Sequence, residues 1–188
     1  MSIVDLFQEK TVFSFEVFPP RRNSPVETIY DTLDELRDLK PDFISVTYGA
    51  GGGKNNQSTI PIAEHIKKVC EVPSVVHFPC INLTKQDVLE KIEELKTAGI
   101  KNILALRGDI PEGEENRGDF RYASDLIAFL KEHGNFHISA ACYPEGHIES
   151  ADRVEDIRYL KNKVDAGAEH LISQLFFENK QFYIFQER

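Results

Sequence analysis

The sequence is marked first by what it lacks. Among its 188 residues no apolar run approaches the 18 or so that a membrane-spanning helix needs, so no membrane association is expected. The first ten residues carry no basic segment leading into an apolar stretch, so no signal peptide is expected. Basic charge is in deficit: 22 Lys and Arg stand against 31 Asp and Glu, a net charge of -9. Non-specific nucleic-acid binding needs a basic footprint, so no nucleic-acid partner is expected. Cysteine is scarce. Cys70, Cys80 and Cys142 form no CxxC, and three cannot all pair within one chain, which points to reduced thiols in the cytoplasm. Low-complexity tracts and linkers are absent as well. Apolar residues at 41% and charged residues at 28% exclude a disordered chain and imply one domain over 1–188.

Several catalytic signatures are missing. No HExxH or HxH spacing occurs, so no metal site is expected. No Ser lies within GxSxG. The Gly-rich stretch from Gly49 to Gly53 is not a P-loop, because Lys54 is followed by Asn55 rather than Ser or Thr. It reads as a loop over the site.

What is present is a rhythm. Runs rich in β-branched and aromatic residues at 12–18, 43–48, 75–80, 103–107, 138–143 and 171–177 predict strands. Stretches of helical period at 25–38, 59–69, 84–98, 123–133 and 150–166 predict helices between them. Strand starts recur about every 30 residues, the length of a strand and its crossover helix. Thr84 with Asp87 reads as a helix N-cap, and Gly99 as a left-handed C-cap.

Strict alternation means a parallel sheet. Length favours an open doubly wound sheet over a (β/α) barrel, which usually takes about 250 residues. Side-chain alternation favours the barrel. Ser14 and Glu16 share one face of the first strand, Ser45 and Thr47 one face of the second, and Ser139, Ala141 and Tyr143 one face of the fifth. In the fourth, Ala105, Arg107 and Asp109 are expected on that same small or polar face, opposite Leu104 and Leu106. An interior that is polar toward the strand C-termini suits a barrel mouth.

Glu16 sits among aromatic neighbours, where desolvation would raise its pKa and suit it to general-acid work; pairing with Arg21 or Arg107 is the structural alternative. Arg107, Gly108 and Asp109 leave the fourth strand where such folds place ligands, though Gly-Asp is also good turn chemistry.

Taken together, Phe15-Glu-Val-Phe-Pro-Pro20, Ser45-Val-Thr-Tyr-Gly-Ala50, Ala105-Leu-Arg-Gly-Asp109, Tyr122-Ala-Ser-Asp-Leu126, Ala141-Cys-Tyr-Pro-Glu145 with His147, Lys163-Val-Asp-Ala-Gly-Ala168 and Gln174-Leu-Phe-Phe177 occur in this order. The series resembles the FAD-dependent 5,10-methylenetetrahydrofolate reductases of one-carbon metabolism, over essentially the whole chain. The resemblance implies a (β/α)8 TIM-barrel fold of which only about the first six strands are present, so that the chain is expected to be C-terminally truncated. It implies FAD across the strand C-termini, NADH or NADPH as hydride donor, methylenetetrahydrofolate as substrate and a homo-oligomer. It assigns Glu16 as proton donor opening the folate ring to an iminium, Asp109 as the carboxylate beside flavin and pterin, and Gln174 as a hydrogen-bond partner of folate and nicotinamide. It places Thr47, Tyr48, Ala50, His77, Arg107, Gly108, Asp109, Ala123, Tyr143, His147, Asp156 and Lys163 at FAD-contacting positions. The alternative expectation is an inactive partial barrel that binds FAD weakly or needs a partner chain.

Overall fold

The computed structural model describes residues 2–20, 27–48, 58–110, 113 and 115–188. Six parallel strands, β1 (Ser14–Val17), β2 (Phe43–Val46), β3 (Ser74–Pro79), β4 (Asn102–Leu106), β5 (His137–Cys142) and β6 (His170–Ser173), lie in the order in which they occur along the chain. Helices α2 (Glu27–Asp38), α3 (Thr59–Lys68), α4 (Lys85–Thr97), α5 (Ala123–His133) and α6 (Arg153–Asp165) make the crossovers. A doubly wound sheet would bury β1 between other strands; here β1 and β6 are the two edges. The order is that of a barrel, and the sheet is a curled, partial TIM-barrel wall.

Helix ends follow local chemistry. Thr84 Oγ1 accepts from Asp87 N at 3.2 Å while Asp87 Oδ2 accepts from Thr84 N at 2.8 Å, a reciprocal cap that opens α4. Gly99 closes α4 at φ 69°, a left-handed conformation that a Cβ would penalise.

The strand registers assign the faces. On the outer face Ile44, Val46, Val76, Phe78, Ile103, Ala105, Ile138 and Ala140 meet Leu33, Ile62, Ile66, Ile92, Leu95, Leu126 and Leu130 from the helices in one continuous core. Each fully buried Val, Leu, Ile or Phe side chain there contributes roughly 1.5–3 kcal/mol. The inner face carries a smaller cluster, Ile3, Phe43, Val75 and Leu104. Ile3 belongs to α1 (Ile3–Glu9), a short helix that the strand-and-helix rhythm does not foretell. Its Ile3 N donates to Asn102 Oδ1 at 3.2 Å, fastening α1 under the N-terminal end of the sheet. Helix α7 (Asn179–Glu187) follows β6.

The expected facing of the fourth strand is corrected. Phe78 pairs with Ala105 and His77 with Leu104, so Ala105 faces the helices while Leu104 and Leu106 share the inner face with His77. Bulk misleads here because the lower inner face is itself apolar, closed by α1.

Candidate active site

The inner face changes character along the strands. Along β2 apolar Phe43 gives way to Ser45 and, just past the strand, Thr47, and in β3 Val75 gives way to His77; Glu16 pairs with Ser45 on β1, while Ser139 on β5 pairs with Leu104. Parallel strands carry successive side chains to opposite faces, so one residue per strand in every two reaches this surface.

Glu16 Oε2 lies 3.4 Å from His77 Nε2. The Glu16 side chain is 51% exposed and that of His77 11%. Burial pushes the Glu16 carboxyl above the usual carboxylate range. Burial also drives His77 down to about 4, so the imidazole is neutral at physiological pH and the contact is no ion pair there. The structural alternative for Glu16, pairing with Arg107, does not arise: Arg107 is engaged elsewhere, and Arg21 lies outside the described residues. Thr47 is buried. Its N–H donates to Val17 O at 3.0 Å and its carbonyl accepts from Thr59 Oγ1 at 3.1 Å, while its own Oγ1 has no hydrogen-bond partner among the described residues.

A second group gathers beyond β4 and β5. Arg107 makes a two-pronged pair with Glu149 at 2.5 and 2.6 Å, and its Nε donates to Gly108 O at 2.9 Å. The Arg107 hydrogen bond holds the Glu149 carboxyl below its ordinary range. Gly108 has φ 89°, and a Cβ there would come within 2.8 Å of Ile81 Cγ2, so the turn after β4 requires glycine. Asp109 is exposed on this turn, near enough to Arg107 and Tyr143 to bias both electrostatically. The Tyr143 ring packs edge-on against His147 at 4.7 Å, and Lys163 Nζ lies 5.7 Å from its centre. Lys163 Nζ also donates to Ala141 O at 2.8 Å; burial lowers its pKa, and Asp156 opposes the shift. Asp156 accepts from Ser150 Oγ at 3.3 Å. Ala123 is buried at the start of α5.

Other residues stand apart. Tyr48 lines a cleft of about 1020 Å³ between α3 and α4, with Ile60, Glu64, Leu83, Glu90 and Glu94, on the helical side of the sheet. Gln174 continues the inner face of β6, its N–H donating to Cys142 O at 2.8 Å, but it is exposed and at the opposite sheet edge from Glu16. Ala50 lies outside the described residues. Sequence reasoning missed Glu149, whose partner is 42 residues away, and the inner-face contact of Ser139 Oγ with His170 Nδ1 at 3.4 Å. The three cysteines are free and buried. No helix among the described residues is long and apolar enough to cross a membrane.

Chemically, the inner face offers a carboxyl whose pKa burial raises, a neutral imidazole beside it and a hydroxyl unpartnered among the described residues; beyond β4 and β5 stand Arg107 and, over the Tyr143 ring, Lys163. Arg107, Lys163, Tyr143 and Thr47 could hold a dinucleotide of aromatic head and anionic pyrophosphate.

The chain resembles known proteins in fold and in sequence. In fold, the chain is similar to a Clostridium thermocellum protein that binds two copies of 5-methyl-5,6,7,8-tetrahydrofolic acid, with a TM-score of 0.64, 13% identity, and coverage of 97% of this chain and 60% of that one. It is similar also to 2,3-dimethylmalate lyase, with a TM-score of 0.68, 10% identity, and coverage of 100% and 66%. At such identities the likeness concerns the fold alone. In sequence it is 41% identical over 175 residues to the 5,10-methylenetetrahydrofolate reductases of Pectobacterium carotovorum and of Escherichia coli, covering 93% of this chain and 58% of each relative. It is 36% identical to methylenetetrahydrofolate reductase (NADH) 1 of Arabidopsis thaliana, covering 95% of this chain and 32% of that protein. The chain thus spans just over half the length of its bacterial relatives. The methylenetetrahydrofolate reductase family profile matches residues 2–188, and the chain belongs to that family.

Proposed function

We propose that this chain handles flavin and folate in the reduction of 5,10-methylenetetrahydrofolate to 5-methyltetrahydrofolate, with NADH or NADPH as hydride donor. The observation that carries the reading is Glu16, a half-buried carboxyl raised by desolvation on the inner face and 3.4 Å from a neutral His77. FAD, when bound, would supply a two-electron carrier that takes hydride from the nicotinamide and passes it to the folate. The residues present fit such a group: the Thr47 hydroxyl is buried and unpartnered among the described residues, and Arg107, Lys163 and Tyr143 lie together. Arg107 and Lys163 would bear on its pyrophosphate, with Glu149 displaced from Arg107.

Glu16 holds a proton at a carboxyl oxygen and delivers it to the folate ring nitrogen that departs as the five-membered ring opens. His77, kept neutral by burial, adds no positive charge that would draw that proton away. Asp109 presents a carboxylate that favours the cationic iminium left on the substrate. Gln174 offers an amide to orient substrate and donor in turn. Family membership also supports a homo-oligomer working in the cytoplasm.

The test is an anaerobic measurement of the two half-reactions separately. In Glu16→Gln, flavin reduction by NAD(P)H should persist, while reoxidation by methylenetetrahydrofolate should slow about 10²–10⁴-fold. In the unaltered protein that second step should fade as pH rises through the raised Glu16 pKa. Equal loss of both half-reactions in the variant would remove the role given to Glu16.

A second reading has its own observation: among the described residues β1 and β6 each pair with one neighbour only. On this reading the polypeptide binds FAD weakly, or needs another chain to cover those edges.

A further inference from the structure

On the far side of the sheet from Glu16, α2 and α3 bring together three side chains that the reductase chemistry does not use. Asp34 comes from the third turn of α2, His65 from the last turn of α3, and Cys70 from just beyond the α3 C-cap. A carboxylate oxygen, a ring nitrogen and the thiol sulfur all lie within 4.8 Å of one another.

The surroundings favour a bound ion over chance. His65 Nε2 is buried and has no hydrogen-bond partner among the described residues, a state native proteins avoid. The Tyr30 ring lies against the imidazole at 4.3 Å and limits its rotation. Cys70 is placed by its own N–H, which donates to His65 O at 3.2 Å. Asp34 is loosely held: Arg37 stands 3.8 Å away, and both groups are about half exposed. A pair that long and that exposed is weak, so the carboxylate is free to turn inward. Arg37, which also stands 3.7 Å from Asp38, is the cation that an incoming ion must displace.

Reactive-thiol chemistry suits the cluster poorly. Burial, with Asp34 adding to it, pushes the Cys70 thiol up, the wrong direction for a nucleophile. A metal ion would reverse that balance by taking the sulfur as thiolate and releasing its proton to solvent.

We propose that Asp34, His65 and Cys70 form a Zn²⁺ site joining α2 to α3, with a fourth position open on the Asp34 side. Sulfur, imidazole and carboxylate together are a zinc donor set, and three protein ligands with one exchangeable position is a common zinc arrangement. Around a tetrahedral zinc such donors stand about 3.3–3.8 Å apart, so the cluster closes by roughly 1 Å, within reach of side-chain rotation. The separations of 31 and 5 residues match no familiar metal motif, which is why sequence spacing alone leads to the opposite expectation.

Co²⁺ is the probe. The chelator-treated chain, kept reduced with a non-thiol reductant, is titrated with Co²⁺ and then challenged with Zn²⁺. The expected result is a near-ultraviolet sulfur-to-cobalt band with tetrahedral visible bands, both abolished by Zn²⁺. Cys70→Ala should lose the sulfur band. Asp34→Asn, an exposed change that leaves the core alone, should weaken Co²⁺ binding at least about tenfold, and circular dichroism verifies that both variants are folded. A spectrum without a sulfur band, or one unchanged in Cys70→Ala, would overturn the site by assigning the metal to surface histidines or to another thiol. Unchanged affinity in folded Asp34→Asn would likewise overturn it.

Discussion

The middle and the margins of this sheet do different work. Every residue of β2 and β3 is buried, whereas no residue of β6 is, and in β1 only Val17 is. Yet Glu16 stands on β1, and Gln174 just past β6, so two of the three groups proposed for chemistry occupy the least covered strands, with Asp109 beyond β4 the exception. The centre is closed by side chains from four helices, α2 to α5. The margins keep polar groups half-solvated, as proton exchange with a substrate requires. Stability and proposed reactivity are thereby separated along the sheet, and His77, on β3 but touching Glu16, is where they meet.

The largest effect expected from this contrast lies in the core. Ile103→Ala in β4 should cost about 2–5 kcal/mol, because a fully buried side chain leaves a cavity. Leu171→Ala in β6 removes a partly buried residue and should cost about 1–2 kcal/mol. Urea unfolding of both variants checks the gap, and equal losses would erase the distinction between centre and margin.

Next comes the junction. Burial lowers His77 from 6.5 to about 4, so between those values the unfolded chain binds a proton that the folded chain refuses. Stability contributed by this group is complete above about 6.5 and is lost as pH falls toward 4, by roughly 3 kcal/mol at most. A His77→Gln variant should show a flatter stability profile across that window than the unaltered protein. Matching profiles would mean that the histidine is solvated in the folded chain.

The smallest effect belongs to the rim. Glu149 occupies the guanidinium proposed to meet the flavin pyrophosphate, so Glu149→Gln should tighten FAD binding a few-fold, roughly 1 kcal/mol. Fluorescence titration reads this directly, and weakened binding would give Glu149 a positive part in holding the cofactor.

Much of the fold is legible in the residues. The six strands and five crossover helices follow from β-branched runs, helical period and caps such as Thr84 and Gly99, because these signals are local. Tertiary facts are less so. Helix α1 spans seven residues, too few for a periodic pattern to stand out. The facing of Leu104 and Ala105 depends on register with His77 and Phe78 rather than on their own bulk. Tyr48, read with the flavin positions, lines the α3–α4 cleft because it follows Val46 onto the outer face. Glu149 beside Arg107, and Asp34 beside His65 and Cys70, are meetings across loops and helices that no spacing rule records. Burial raises the Glu16 carboxyl, the direction its apolar sequence neighbours suggested, although Phe15 and Val17 themselves alternate onto the helical face of β1.

The most direct test is the visible absorption spectrum of the purified chain after incubation with FAD and desalting. The account predicts a retained flavin spectrum that bleaches on anaerobic addition of NADH or NADPH and recovers with methylenetetrahydrofolate. Folded, soluble protein that emerges colourless would contradict it.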